Sequence, residues 1–467
     1  MSSSFASAAD VCAQAAQMQE YFQTGATLPL AHRKEALVNL RKYLKENEER
    51  ILDALTQDLG KAPFEGYATE LGIVYDEIKI CLKHLSSWSR PRRVGTPIVH
   101  FPSSSKVYAS PLGVVLVLSP WNYPIQLALV PLVDAIAAGN CVALKPSRTS
   151  KATSAFLVEM LGEVFQEDFV CAFPGSGDMN NWLLEARWDQ IFFTGSPNVG
   201  HTIMAAAAKN LTPVVLELGG KSPCIVHKDA NVHRAAQRIA WGKGINTGQT
   251  CVAPDYFLVH ESIVDDLVAQ IDECFHAYYG ENILEGDEWP RMINQHHFER
   301  VMGLIENHNP DAYVAFGGHG DVETLKIEPT CLRGVTLDDP VMGEEIFGPV
   351  LPVITYKTLN EAIEIVRHFE KPLATYVFTT SKEVEARIIE ELPFGGATIN
   401  DVVIHLANNH MGFGGVGNSG MGAYHGKVGF DCFTHYKSTL KKGNWLEIPI
   451  RVPPFGNKIK LLRMLMK

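Results

Sequence analysis

The chain has 467 residues, 46% of them hydrophobic and 20% charged, with 41 Lys and Arg against 52 Asp and Glu for a net charge of −11. Neutralising phosphates takes clustered cations, so this balance excludes nucleic acid as the main partner. The composition excludes disorder and collagen-like repeats, and the length suits two or three domains with sizeable cores. From about residue 30 to 88 apolar residues recur at helical spacing, as in Leu37, Leu40 and Leu44, then Leu71, Val74, Ile78 and Leu85. The Pro-, Arg- and Ser-rich stretch 89–106 follows and suits an exposed connector or arm.

The texture then changes to β-branched runs alternating with helical patterns. Val114 to Leu118 predicts a strand, and Leu127 to Ala138 a helix closed by Gly139. A second unit pairs strand Cys141 to Lys145 with a helix capped near Thr149 or Ser150, and a third pairs strand Gln190 to Phe193 with a helix from Asn198 to Ala208. Strand Val214 to Leu216 comes next. Repeated β-α-β units predict a parallel sheet covered on both faces, with ligands beyond the carboxyl ends of its strands. Pro223 to Val226, Val350 to Thr355 and Ala374 to Thr379 predict a second α/β domain. A glycine cluster, MGFGGVGNSGMG, spans 411–422, and the tail ends in KIKLLRMLMK. The tail sets Ile459, Leu462 and Met466 on one helical face among four basic residues; docking on the protein's own surface is expected of it, with weak association with a membrane surface as the alternative.

Nine cysteines, an odd number with none in a CxxC pair, argue against a disulfide framework and a zinc knuckle. His296, His297, His405, His410 and His425 form no ligand spacing, so no metal is expected. The N-terminus carries no basic residue ahead of its small apolar run, and no uncharged apolar stretch of about 18 residues occurs. A soluble chain of a reducing compartment, without a stable membrane anchor, is expected.

Four local patterns bear on chemistry. In INTGQTCVAPDY, Cys251 lies in a turn-rich loop after a helix; it reads either as a small core residue or as an exposed, reactive thiol. In VVLELGGKSP, Glu217 ends a buried strand, where a carboxylate needs either a salt-bridge partner or a task as general base. In SPWNYP, Asn122 follows a strand, as a plain turn residue or as an amide aimed at a developing oxyanion. In FTGSPNVG, Gly195 and Gly200 stand at a strand-to-helix turn that suits a phosphate, and Lys145 and Arg148 of LKPSRTS add cations at the same sheet edge.

Taken in order, PWNYP, KPS, FTGSxxxG, LELGGK, NTGQTC, EEIFGP and FGGVGNSGMGAYHGK make the chain resemble the aldehyde dehydrogenase superfamily, most of all its class 3 branch, from about residue 20 to 440. The resemblance implies an α/β fold with a parallel-sheet dinucleotide-binding domain (1–88 and 107–216), a catalytic domain (217–410), a bridging and oligomerisation arm (89–106 and 411–440) and a C-terminal tail (441–467). It implies Cys251 as nucleophile, Glu217 as base, and Asn122 with the Cys251 N–H as oxyanion hole. Lys145 would hold the adenosine ribose, Gly195 and Ser196 would lie along the pyrophosphate, Glu345 would hold the nicotinamide ribose with Phe347 beside it, and Ser147 and Gly200 would also belong to the cofactor site. Tyr123, Trp241 and Phe413 would wall the aldehyde site. The family's common KPSE reads KPSR here, so Arg148 stands where a ribose-binding carboxylate is usual and favours NADP competence beside NAD. A cytoplasmic homodimer oxidising medium-chain aliphatic or aromatic aldehydes is implied. A coenzyme A-acylating enzyme and a non-catalytic protein on the same fold are the rival readings.

Overall fold

The computed structural model describes residues 5–175 and 177–466. The β-branched runs form strands because helices cover both of their faces: Val114–Leu118 and Cys141–Lys145 are buried along their whole length. They are the fourth and fifth strands of a six-stranded sheet in the order Gly420–Met421, Val214–Leu218, Gln190–Gly195, Val114–Leu118, Cys141–Lys145, Val170–Ala172. All of its pairings are parallel except that of Gly420–Met421. A second sheet, of seven strands, runs Tyr313–Phe316, Thr330–Arg333, Val350–Tyr356, Tyr256–His260, Pro223–Val226, Ala374–Phe378, Gly396–Ile399, with Tyr313–Phe316 antiparallel at one edge. The fold is thus α/β, with a parallel-sheet dinucleotide-binding domain and a second α/β domain.

A third, antiparallel sheet joins Arg92–Val94, Ser103–Pro111 and Thr434–Lys442. The arginine-rich connector therefore continues into a strand of nine residues. Of the segment 411–440, the part before Thr434 belongs elsewhere: Gly420–Met421 pairs with Val214–Leu218, and helix Gly426–Cys432 packs on helix Gln126–Ala138.

Helix Gln126–Ala138 is buried at every residue and ends at Gly139, whose φ of +97° closes it. The buried Arg33 lies against that glycine and donates to Ala137 O at 3.2 Å, a cation at the negative end of a helix. The next helix, Lys151–Val164, departs from the expected local cap. Ser150 holds the N-cap position without a side-chain bond, and Asp58 from a neighbouring helix accepts from Ala152 N (3.0 Å) and Thr153 N (2.9 Å) instead. A carboxylate brought in by packing satisfies the donors that a serine was expected to satisfy.

The tail forms helix Lys458–Leu465, but its apolar face does not dock: Ile459 is 54% and Met466 70% exposed. The short Ile98–His100 turn against which it lies is too small to cover that face. Lys467 lies outside the described residues. Among the described residues no helix is long and apolar enough to cross a membrane.

Candidate active site

Glu217 stands near the carboxyl end of its strand, in register with Thr194 on one side and Gly420 on the other. It is buried, and neither carboxylate oxygen has a hydrogen-bond partner. Burial alone pushes its pKa well above the usual carboxylate range. The salt-bridge reading is thereby removed. Gly219, two residues on, makes room for a second carboxylate: a Cβ there would lie 1.9 Å from Glu345 Oε2. Burial, then the charge of Asp255, pushes Glu345 up to about 8, while Gly220 N–H donates to it; its Oε1 is buried and unpartnered.

Both carboxylates line a cavity of about 750 Å³ together with Asn122, Gly195, Ser196, Cys251 and Phe347. Gly195 and Ser196 immediately precede helix Pro197–Ala208, whose unpaired first N–H groups suit an anion. Trp121 stands edge-on to Phe347 with ring centroids 5.4 Å apart.

The Cys251 loop is strained and tied down. Asn246, Thr247 and Gly248 carry φ of 50°, 52° and 71° in succession. At Gly248 a Cβ would lie 2.3 Å from Gly348 O, so only glycine fits. The strain is held by Glu65 Oε1 accepting from Asn246 N (2.8 Å), Thr247 Oγ1 donating to Pro290 O (2.7 Å) and Gln249 Nε2 donating to Arg291 O (3.0 Å). Cys251 itself is half-buried rather than exposed. Burial raises its pKa first, and the charges of Glu345 and Glu217 raise it further, while the N–H groups of 251 and 252 oppose them. Cys251 thus shares its cavity with two carboxyl groups whose charge disfavours its thiolate.

Asn122 is brought to this loop by its amide, whose Nδ2 donates to Gln249 O at 3.1 Å. An amide nitrogen carries two N–H donors, so one remains for a ligand. Beneath it lies an ion pair with both side chains fully buried, Lys61 to Glu70 at 2.7 Å, with Lys61 Nζ also donating to Asn122 O at 3.0 Å.

On its other side Cys251 lines a smaller cavity of about 230 Å³. Tyr123, Trp241 and Phe413 all stand in its wall, with Leu127 and Ile245. Tyr123 is fixed there through its hydroxyl, 2.6 Å from Thr250 Oγ1. Trp241, Ile245 and Ile404 also border an outer groove of about 770 Å³ that holds Phe64 and Tyr278.

Four expected cofactor residues do not line the larger cavity. Gly200 is buried, and its missing side chain lets the helix approach Leu218, whose Cδ2 would be 2.8 Å from a Cβ there. Ser147 turns back on its own turn and accepts from Thr149 N at 3.2 Å. Lys145 is buried at the end of its strand, and burial, then the charge of Arg148, lowers its pKa to about 8. Arg148 is exposed and lines a separate groove with Lys151, Glu159 and Glu163.

His297 and Arg300 also line the cavity. His297, which belongs to no metal-ligand spacing in the sequence, lies beside Trp121, and burial, then the charges of Arg300 and His296, lowers its pKa to about 4. No motif marks either residue in the sequence.

Fold and site together define an α/β enzyme with a dinucleotide-binding domain, a catalytic domain and a cysteine between two cavities. The model of the aldehyde dehydrogenase family matches residues 1–439. The chain is 44% identical over 447 residues to 4,4'-diaponeurosporen-aldehyde dehydrogenase of Staphylococcus aureus, covering 96% of this chain and 97% of that one. It is 43% identical to the dimeric NADP-preferring aldehyde dehydrogenase of Rattus norvegicus, covering 91% and 93%. A solved structure described as the substrate-bound state of Staphylococcus aureus AldH superposes with a TM-score of 0.95 at 43% identity, covering 97% of this chain and 99% of that one. The chain belongs to the aldehyde dehydrogenase family, and similar relatives include family 3 members of Arabidopsis thaliana and Mus musculus. It is an aldehyde-oxidising enzyme.

Proposed function

We propose that the protein oxidises medium-chain aliphatic or aromatic aldehydes to carboxylic acids, with NADP or NAD, through a thioester on Cys251. The observation that carries this reading is that Cys251 is shared by the two cavities, one polar and built on a glycine turn at a helix start, the other apolar. The residues of the larger cavity fit a dinucleotide: Glu345 has a buried, orphaned oxygen ready to accept from ribose hydroxyls, and Gly195 and Ser196 stand at a helix N-terminus. The smaller cavity is roughly half as large again as a ~150 Å³ apolar cavity that takes benzene, which suits a ring or a medium chain. Longer chains would leave past Trp241 into the outer groove.

The Cys251 thiol loses its proton to solvent, the thiolate attacks the aldehyde carbon, and the oxyanion is held by the free N–H of the Asn122 amide and by the Cys251 N–H. When bound, the nicotinamide supplies the hydride acceptor. Glu217 then takes a proton from water, which hydrolyses the Cys251 thioester and frees the acid; a raised pKa brings this carboxylate closer to the range of a base working near neutral pH. The three-stranded arm supports a homodimer, since Thr434–Lys442 leaves its outward face exposed.

The test is a panel of aldehydes with NAD and NADP, following the reduced cofactor and the acid without added coenzyme A. Cys251→Ala is expected to bind cofactor normally and turn over nothing; near wild-type turnover would sink the mechanism. Reduced cofactor formed only with added coenzyme A, with an acyl-coenzyme A thioester and no free acid as product, would favour the acyl-transferring alternative.

A further inference from the structure

We propose that the buried Lys61–Glu70 ion pair is a positioning device that sets the Asn122 amide against the Cys251 loop; the proposal rests on Asn122 being the oxyanion donor. The pair spans 2.7 Å, and both side chains are wholly shielded from water. For stability alone such a pair is a poor choice, because desolvating two charges offsets most of their attraction and apolar residues of similar size do as well or better.

The valences left over by the ion pair go to one loop. Lys61 Nζ donates to Asn122 O at 3.0 Å and sits 4.0 Å from the Tyr123 ring centroid. Glu70 Oε2 accepts from Ile125 N at 2.8 Å and Gln126 N at 3.2 Å. The ammonium therefore grips the near end of the turn by a carbonyl, and the carboxylate grips the far end by two N–H groups. Between them residues 122–126 are bracketed by opposite charges that also attract each other. A π-helical turn, Tyr67–Leu71, carries Glu70, and such turns concentrate at functional sites.

What is held is tied directly to the reacting loop. Asn122 O also accepts from Asn246 Nδ2 at 2.9 Å, and the same Nδ2 donates to Gln249 O at 3.0 Å, the carbonyl that receives the Asn122 amide. A shift of the residue 122 backbone thus carries the amide away from Cys251. With Lys61 removed, Asn122 O keeps one of its two bonds. Glu65, on the same segment, fixes the other side through Asn246 N, so residues 61–70 reach both halves of the site.

The test is the double variant Lys61→Met/Glu70→Gln in the full-length enzyme. Met fills the lysine stem and Gln keeps an acceptor for Ile125 and Gln126, so the melting temperature is expected to be unchanged or raised. The rate of the hydride-forming step is expected to fall about 100-fold, the scale of a 1 Å misplacement, with the cofactor KM unchanged. Asn122→Ala alone is expected to cost about 100-fold or more, yet only about threefold when added to the double variant. A double variant within about threefold of wild type, or full additivity with Asn122→Ala, would overturn the proposal. If Asn122→Ala in the wild-type enzyme costs less than about threefold, the oxyanion-hole reading itself fails and takes this one with it. Should the double variant not fold, Glu70→Gln alone keeps the lysine and one acceptor oxygen for Ile125 N and Gln126 N but loses the ionic bond to Lys61; a loss of at least about tenfold that is non-additive with Asn122→Ala supports the device, and additivity refutes it.

Discussion

Replacing Glu217 by Gln should make the protein more stable and less active, with the two effects read separately. Both carboxylate oxygens are buried without partners, so the charged form is opposed by desolvation alone. The sign follows from linkage: the folded pKa lies above the ordinary value of 4.5, so the folded state resists ionisation while the unfolded chain ionises freely. Stability is therefore full below about pH 4.5 and falls as pH rises towards the folded pKa. An uncharged amide is free of that loss. A buried polar group left unsatisfied costs about 1–3 kcal/mol, and more when charged, so Glu217→Gln should gain at least about 1 kcal/mol at pH 8 and nothing near pH 4. In turnover, losing a general base costs about 10²- to 10⁴-fold, here in thioester hydrolysis and not in hydride formation. Rapid mixing should show a first burst of about one reduced cofactor per subunit at near wild-type rate, then a slow phase. A melting temperature unchanged at both pH values would refute the argument from burial, and an unchanged steady state would refute the role as base.

Arg148→Glu should lower the ratio of kcat/KM for NADP over NAD by at least about tenfold, since a charge-assisted bond to the 2′-phosphate is worth about 1.5–3 kcal/mol; an unchanged ratio would assign this exposed arginine to the solvated surface. In the unliganded enzyme the same change removes a like charge from Lys145, so the lysine, now near 8, should titrate at higher pH, as NMR of the labelled side chain would show. Asp134, fully buried, lies with Cys81 and Glu77, and burial, then the Glu77 charge, raises its pKa well above the ordinary 3.8. Its carboxylate form opposes folding, so Asp134→Asn should raise the melting temperature by an amount that is nil near pH 4 and grows with pH. A gain independent of pH would show that packing around Gly429, whose Cβ would lie 2.0 Å from Asp134 Oδ2, and not charge, is what the change relieves.

Much of the molecule was legible because its information is local. Runs such as Val114–Leu118 and Pro223–Val226 are too apolar to face water and too short and β-branched to favour a helix, so they become buried strands wherever they fall. Glu217 and Cys251 stood out because each is a residue type foreign to its surroundings. What packing decided lies in pairs far apart along the chain. Asp58 caps the helix at Lys151, Lys61 and Glu70 hold residues 122–126, and Glu65 holds Asn246. In the sequence Lys61, Glu65 and Glu70 look like ordinary solvated charges; only the close approach of segment 61–70 to the Asn122 turn and the Cys251 loop excludes water from them. The same holds for the thiol and for Gly200. A turn-rich loop suggests exposure, yet its contacts half-bury Cys251, and a glycine suited to a phosphate is instead consumed by Leu218. Which charges are stripped of water, and which glycine faces a cavity or a neighbouring side chain, depends on distances between segments that no local pattern encodes.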